Sequence, residues 1–314
     1  MPDEPRIEQF RLADLDALLD FLRLGYPDEP RKYDPEYWKW HYLEHPLIDS
    51  NDLPIWVLRD GKRIVGQAAA LPADLKVGDT RLRAAWVLDF VILEELRGRG
   101  LGKALVRAIS ERYPVTFQLG TNEMSTGVFL SLGWTPMGSL HRYQRVLFPG
   151  NELKELRSAP LIRDLANAVS RPLRGRVDTD PRVTQVEKLD RTFDDFWERA
   201  SSQWPCVVTR SSAYLSWQYE RQPGKHFDIF GFYRDGRLDG YAVLFLRSDP
   251  TTGLVPKAAV SELWYSHESP GEVIAALLKR CLAYCIEHRA GSMVVDTHDE
   301  IIEAVLKDMR FWSV

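Results

Sequence analysis

The chain has 314 residues, which at roughly 150 residues per domain suggests two domains. Hydrophobic residues make up 45% and charged residues 27%, a composition that excludes extensive intrinsic disorder. The net charge is −4, so no overall basic excess favours binding to nucleic acid or to an anionic membrane. No stretch approaches the roughly 18 apolar residues of a membrane span, and the charged N-terminus lacks the apolar core of a signal peptide. With three cysteines and no disulfide framework, we expect a cytoplasmic protein with no nucleic-acid or membrane partner.

Helical and strand-like patterns alternate in the first part of the chain. Apolar residues recur at helical spacing from Ala13 to Leu24, and Asp34-Pro35 begins an aromatic helix that ends before Pro46. Strand-like runs flank Asp60-Gly61, which predicts a hairpin. A long strand from Arg81 to about Leu93 then leads through a glycine-rich turn into a helix, a short strand and a second short helix.

The segment from Pro149 to Pro181 has a different character. A helical pattern runs from Leu153 to Val169 and is followed by a polar, arginine-containing stretch. Contact of these arginines with a phosphate or a membrane surface is one interpretation, and a solvated connector is the one that we favour. We therefore predict one helix followed by a linker.

An early sequence pattern returns after this linker. YWKWHYLEHP at 37–46 matches YLSWQYERQP at 214–223, and the Arg-Asp-Gly of 59–61 returns at 234–236. Two matches in the same order predict a duplicated domain, with boundaries at 1–148, 149–181 for the helix and linker, and 182–314. The alternative is one large α/β domain that contains two aromatic helices.

The most informative segment is the end of the long strand, Val87 to Gly102. Gly98, Gly100 and Gly102 let backbone amides approach an anion, and the helix that follows supplies free N–H groups and a positive dipole end. Cationic residues surround them at Arg97, Arg99 and Lys103. This combination is typical of a pyrophosphate-binding cradle.

Two well-known glycine loops do not fit this sequence, and a third does. The GxxxxGK[ST] of a P-loop is absent, and the GxGxG spacing on a late strand is not a dinucleotide-binding fingerprint. Arg97-Gly-Arg-Gly-Leu-Gly102 instead resembles the Arg/Gln-x-x-Gly-x-Gly/Ala loop of the GNAT N-acetyltransferase superfamily. Asn122 and the segment Phe129 to Trp134 also match this family, so the resemblance covers roughly residues 5–147.

The resemblance implies an α+β fold with two GNAT-like domains, each a twisted, mixed, mostly antiparallel sheet flanked by helices. It also implies acetyl-CoA as cosubstrate and no metal. The strand end would pair with the pantetheine amides and the loop would hold the pyrophosphate. The residues implied for cofactor binding are Val91, Ile92, Leu93, Arg97, Gly98, Arg99, Gly100, Leu101, Gly102, Lys103, Asn122 and Phe129.

Catalysis of amine acylation needs a route for the proton of the amine. Asp89 interrupts an apolar strand and is our first candidate for the base, and the alternative is a hydrogen-bonded residue on a solvated face. Glu94 beside the loop is the second candidate. Phe129 stands where the family usually has a Tyr that protonates the thiolate. Three alternatives follow: the thiolate leaves unassisted, another hydroxyl such as that of Ser125 donates the proton, or the domain binds CoA without much turnover.

The second copy departs further from the family, because residues 265–272 lack both the Gly-x-Gly and the arginines. We expect it to share the fold without holding CoA well. Cys281 and Cys285 lie one helical turn apart, and burial is favoured over a metal site. The predicted function is transfer of an acyl group, preferably acetyl, from acyl-CoA to a primary amine of a small molecule such as an amino sugar or amino acid, in a monomer or homodimer. Transfer of a longer acyl chain and a non-catalytic acyl-CoA-binding sensor or interaction module remain the alternatives.

Overall fold

The computed structural model of the chain describes residues 5–314, apart from the side chain of Leu173. Strands are numbered in chain order: β1 (Arg6–Gln9), β2 (Ile55–Asp60), β3 (Arg63–Val77), β4 (Thr80–Ile92), β5 (Val115–Phe117), β6 (His141–Val146), β7 (Val183–Gln185), β8 (Cys206–Val208), β9 (Phe227–Arg234), β10 (Arg237–Arg247), β11 (Lys257–Tyr265), β12 (Ser292–Thr297) and β13 (Trp312–Ser313). The α-helices are α1 (Leu15–Gly25), α2 (Pro35–Tyr42), α3 (Leu101–Arg112), α4 (Glu123–Ser131), α5 (Pro149–Glu152), α6 (Lys154–Arg157), α7 (Pro160–Val169), α8 (Arg171–Arg174), α9 (Arg191–Ala200), α10 (Ser212–Leu215), α11 (Pro270–Glu287) and α12 (Glu300–Asp308).

The first compact unit comprises residues up to Met137 together with Trp204–Gly224. Its sheet has the order β1-β2-β3-β4-β5, with β8 on the far end of β3. Every pair is antiparallel except β4 with β5, which are parallel and are joined through α3. The helices α1 and α3 bury their apolar faces in the core that covers this sheet.

The second compact unit comprises Gly138–Gln203 and Lys225–Val314. Its sheet has the order β13-β6-β12-β11-β10-β9-β7, and β11 with β12 is its parallel pair, joined through α11. Each unit therefore has one mixed, mostly antiparallel sheet flanked by helices, which confirms the predicted fold class. The two Asp-Gly turns close the corresponding hairpins, β2–β3 and β9–β10, as expected.

The two compact units do not follow linear order along the chain. Residues 138–148 lie in the second unit and residues 204–224 in the first. The domain boundaries at 1–148, 149–181 for the helix and linker, and 182–314 stay a prediction.

The repeated aromatic motif forms a symmetric contact inside the first unit. The indole Nε1 of Trp40 donates to the carbonyl of Trp217, and Nε1 of Trp217 donates to the carbonyl of Trp40, each at 2.8 Å. The two rings stack at 4.8 Å with an interplanar angle of 8°. Trp217 lies in a π-helical turn, Ser216–Glu220, which follows α10. Both indoles are fully buried.

The predicted helix from Leu153 to Val169 is wrong as a continuous element. The segment is divided into α6 and α7, and Pro160 stands in the first turn of α7. Pro149 and Pro172 stand in the first turns of α5 and α8, which flank it. A proline lacks the N–H that continues a helix and clashes with the preceding turn. Within residues 5–314, no helix has the length and apolarity that a membrane crossing requires.

The indole pair predicts a large contribution of Trp217 to stability. We expect Trp217→Ala to lower the free energy of unfolding by about 3–5 kcal/mol, because a fully buried indole and the hydrogen bond from its Nε1 to the Trp40 carbonyl are lost. Urea denaturation followed by circular dichroism measures this. The control is Trp312→Ala, whose ring is half exposed in β13 and which we expect to change stability by about 0.5 kcal/mol or less. Equal effects of the two substitutions would contradict the central role of the pair.

Candidate active site

A β-bulge in β4 positions the strand's only carboxylate. Gln67 of β3 pairs with Val91, whereas Ala69 pairs with Leu88, so two β4 residues, Asp89 and Phe90, lie opposite one residue of β3. Asp89 has a φ of +49°, which a non-glycine residue rarely adopts. A bulge of this kind redirects a side chain relative to the regular alternation of the strand.

The carboxylate of Asp89 is buried and fully engaged. Its side chain is 8% exposed and forms an ion pair with the Lys32 ammonium, while its second oxygen accepts a hydrogen bond from the Tyr42 hydroxyl. Burial by itself raises the pKa of Asp89, but the Lys32 charge and these hydrogen bonds hold it below the ordinary value for an aspartate. Although burial opposes it, Asp89 in turn raises the pKa of Lys32. Both groups are therefore charged at neutral pH.

Polar atoms without partners surround this ion pair. Both ring nitrogens of His41, the Oε1 of Gln67 and one terminal nitrogen of Arg31 are shielded from solvent and have no hydrogen-bond partner among residues 5–314. Burial lowers the pKa of His41 to about 4, so its imidazole is neutral at pH 7. The Arg31 guanidinium stacks over the Tyr37 ring at 3.9 Å. The His41 residue is partly exposed, and its ring lies edge-on to the Trp217 ring at 6.1 Å between centroids.

The bulge coincides with an opening in the sheet. The strands β4 and β5 pair only from Ala84 to Trp86 and from Val115 to Phe117. Beyond this point β5 ends, while β4 continues to Ile92. Asp89 and residues 91–93 therefore lie along a strand edge that β5 does not cover. Unpaired backbone groups on such an edge can form β-type hydrogen bonds with an extended ligand.

The glycine loop lies at the end of this open edge. Gly98 and Gly100 both have a φ of +79°, and Gly100 is the N-cap of α3. At Gly102, a Cβ would lie 2.9 Å from the Phe90 ring, so a glycine is needed for α3 to pack this closely on β4. Since the first four amides of a helix have no intrahelical acceptor, the start of α3 presents free donors beside the loop.

Cationic side chains accompany these amides. The Nε of Arg97 donates to the carbonyl of Ile92 at 3.0 Å, which fixes the guanidinium at the end of β4. Arg99 and Lys103 are exposed on the loop and on the first turn of α3. Cations, amides and a helix dipole at one place are the donor set of a diphosphate site.

The candidates on α4 have structural roles that the sequence did not predict. Asn122 caps the helix: its Oδ1 accepts from the Ser125 amide at 2.9 Å, and the Ser125 hydroxyl accepts from the Asn122 amide. The Ser125 hydroxyl proton is directed back at Asn122. Phe129 is buried against Phe90 and Trp134.

The remaining candidates differ in their exposure to solvent. Glu94 is exposed in the 3₁₀ turn Glu94–Leu96, whereas Asp89 is buried. Cys281 and Cys285 are buried as expected, and burial raises the pKa of both thiols. No group of three or more His, Cys, Asp or Glu within residues 5–314 is arranged to hold a metal ion.

Several residues of this site were missed by sequence reasoning. Lys32 and Tyr42 are 57 and 47 positions away from Asp89, and Gln67 lies on the neighbouring strand. None of them belongs to a local motif. The one available signal was the isolated Asp in an apolar strand, because a buried carboxylate requires a cation or several hydrogen bonds.

Comparison with known proteins agrees with this geometry. Residues 6–137 match the family model of the acetyltransferase (GNAT) domain. The site just described lies entirely within these matched residues. Over 76 residues the chain is 32% identical to an aminoglycoside 2'-N-acetyltransferase of Mycolicibacterium fortuitum. The aligned segment is 23% of this chain and 39% of that enzyme, so the chain spans well under two thirds of this relative.

Solved structures share the fold over both units. A conserved protein of Enterococcus faecalis V583, described as a "probable N-acyltransferase", matches 94% of this chain and 65% of its own with a TM-score of 0.63 and 12% identity. The N-myristoyltransferase of Saccharomyces cerevisiae with bound myristoyl-CoA matches 100% of this chain and 81% of its own, with a TM-score of 0.65 and 11% identity. Identities this low establish the fold alone.

Proposed function

We propose that the chain is an N-acyltransferase that moves an acyl group, preferably acetyl, from acyl-CoA to a primary amine of a small molecule by direct attack in a ternary complex. The observation that carries this proposal is the open edge of β4, which has the buried Asp89 at one end and the glycine loop at the other. A thioester held along that edge would lie between an anion-binding cradle and a carboxylate.

The residues present fit acyl-CoA. The loop from Arg97 to Lys103 offers the cations and helix amides that a diphosphate requires, and the strand end from Val91 to Leu93 offers backbone groups for pantetheine amides. Acyl-CoA would supply the activated thioester. The names of the relatives support acyl-CoA in general, and acetyl as the acyl group is part of the proposal.

Asp89 is proposed to bind the acceptor amine and receive its proton. In the structure its partner is the Lys32 ammonium, and a substrate ammonium is the same chemical group. When the acceptor displaces Lys32, its own ammonium becomes the cation beside Asp89, and burial, which raises the pKa of this carboxylate, favours passage of a proton from the ammonium to Asp89. A carboxylate with a raised pKa is a better base for the amine proton.

The leaving thiolate has no evident acid in this site. Phe129 has no proton to donate and is buried among aromatic rings, and the Ser125 hydroxyl is used in the helix cap. We therefore propose that the thiolate leaves without assistance from either residue. Relatively slow turnover is the expected consequence.

The second unit is proposed not to bind CoA. Where the first unit has glycines and arginines before α3, the second has Glu268 and Glu272 at the start of α11. These carboxylates lie close to Arg182, Arg234 and Arg237 in ion pairs. Acidic groups at this helix start would repel a diphosphate.

The acceptor site contains both charge signs. Arg31 and Lys32 are cationic, Asp89 is anionic and His41 is neutral. The name of the aminoglycoside-acetylating relative supports an amino sugar, whereas the free Arg31 nitrogen suits an amine that carries a carboxylate. Both classes belong in the substrate panel.

The cradle is tested by Gly100→Glu. We expect this variant to bind acetyl-CoA at least tenfold more weakly in calorimetry, because a side chain at φ +79° is strained and a carboxylate enters an anion site. Gly61→Glu is the matched control, since Gly61 also has a positive φ but lies in the β2–β3 turn. Wild-type stoichiometry should be one per chain. Two per chain would contradict the proposal for the second unit.

The role of Asp89 is tested by Asp89→Asn in an assay of CoA release with a panel of amines. We expect kcat/KM to fall about 10²- to 10⁴-fold while the Kd for acetyl-CoA stays within about twofold. Glu94→Gln should keep near wild-type activity. Loss of activity in Glu94→Gln alone would transfer the role to Glu94. Binding without CoA release from any amine would favour the sensor alternative.

The influence of Lys32 on Asp89 predicts a shift in pH dependence. A base acts when deprotonated, so activity rises with pH through its pKa. In Lys32→Met, burial is no longer offset and the pKa of Asp89 rises, so the acidic limb of kcat/KM moves to higher pH. Lys39→Met on α2 is the matched control, because Lys39 is exposed and pairs with Glu44. An unchanged acidic limb would refute the proposed coupling.

A further inference from the structure

The helix α7 has its polar face packed inward and its apolar face outward. Asn167 is 3% exposed, accepts from the Gly150 amide at 2.8 Å and donates to the Asn151 Oδ1 at 3.1 Å. Leu161, Leu165 and Val169, spaced i, i+4 and i+8, are 89%, 65% and 72% exposed, and Ile162 beside them is 59% exposed. This arrangement inverts the usual pattern of a helix on a globular protein.

The packing of α5 against α7 holds this orientation. At Gly150 a Cβ would lie 2.3 Å from the carbonyl oxygen of Arg163, so the two backbones approach as closely as a glycine allows. The side-chain amide of Asn167 satisfies the Gly150 amide in this contact. The outward apolar face is therefore fixed by buried contacts on the opposite side and is not a consequence of loose packing.

Guanidinium groups collect at the C-terminal end of α7. Arg174 donates to the carbonyls of Leu147 and Asn167, and its charge lies over the Phe148 ring at 4.2 Å. Arg289 lies over the same ring at 5.3 Å, and burial together with the charges of Arg289 and Arg171 lowers the pKa of Arg174. Within residues 5–314, Arg171, Arg174 and Arg289 form no ion pair with a carboxylate. Their mutual repulsion would be relieved by an anion from outside.

The area and the charge together indicate the partner. A ten-residue helix is about 15 Å long, and one face of it covers far less than the roughly 800 Å² per partner of a stable protein interface. A second copy placed face to face would also oppose arginines to arginines if its helix ran parallel. A bilayer surface needs no such area, since aliphatic side chains enter the acyl boundary while arginines bind anionic headgroups.

We propose that the α7 face, defined as Leu161, Ile162, Leu165 and Val169, docks the protein on an anionic lipid bilayer, with Arg171 and Arg289 near the C-terminal end of α7 as the cations that bind headgroups. The sequence pattern alone favoured a solvated connector, and what changes the interpretation is the outward direction of the apolar residues. The site is separate from the glycine loop and Asp89, so this proposal does not depend on the acyltransferase function.

Flotation of the full chain with lipid vesicles tests the proposal. We expect wild-type protein to float with vesicles containing about 30% phosphatidylglycerol, to float less with pure phosphatidylcholine, and to lose binding as salt rises. Leu161→Glu/Leu165→Glu should weaken binding by more than about tenfold, because two leucines no longer leave water. Arg171→Glu/Arg289→Glu should weaken it by at least about 25-fold, at roughly fivefold for each arginine.

Matched controls separate the patch from general effects. Met137→Glu replaces an equally exposed apolar residue outside the patch, and Lys62→Glu/Lys188→Glu makes the same change in net charge elsewhere. Both should float like wild type, and all variants should keep the wild-type rate of CoA release. Failure of the wild type to bind anionic vesicles would overturn the proposal. So would a dimer in sedimentation velocity that Leu161→Glu/Leu165→Glu dissociates, since the face would then be a contact between copies.

Discussion

The burial of one negative charge determines how the first unit is built. A carboxylate inside a protein requires a cation and hydrogen bonds, because its transfer out of water costs on the order of several kcal/mol even after the protein relaxes around it. Asp89 obtains these partners from Lys32 and Tyr42, and this holds the segment before α2, and α2 itself, against β4. The bulge that redirects Asp89 lies where β4 continues beyond the end of β5. The same interaction therefore fixes the strand edge, the covering segment and the carboxylate of the candidate site.

The second half of the chain contributes directly to this unit. The segment 204–224 belongs to the first compact unit, where Trp217 stacks on Trp40 and contacts the His41 ring edge-on. Each indole donates a hydrogen bond to the backbone carbonyl of the other tryptophan, so the two repeated motifs are related by a local two-fold symmetry at this contact. The second copy of the repeated motif therefore packs on the first copy, beside the candidate site. Removal of the second half would expose the first copy at this contact, so the first half is incomplete without it.

Local sequence patterns were sufficient for the elements and for the loop. The glycine turn, the α3 start and the two hairpins each depend on neighbouring residues, and the structure places them as predicted. The partners of Asp89 could not be predicted, because Lys32 and Tyr42 become neighbours only when the sheet and α2 assemble. The contact between His41 and Trp217 could not be predicted for the same reason, since the two residues are 176 positions apart. The continuous helix from 153 to 169 was a different error, because Pro160 is visible in the sequence and predicts a new helix start.

The unpartnered polar atoms beside Asp89 connect stability with function. A shielded polar atom without a hydrogen bond costs about 1–3 kcal/mol, and His41, Gln67 and Arg31 each contribute at least one. Packing elsewhere in the unit must offset this cost, and the buried indole pair next to His41 contributes to that packing. A ligand that gives these atoms partners regains part of the same free energy on binding. For the proposed acyltransferase, an acceptor substrate with both hydrogen-bond donors and acceptors is therefore favoured over a purely apolar amine, because only the former satisfies an imidazole, an amide oxygen and a guanidinium together.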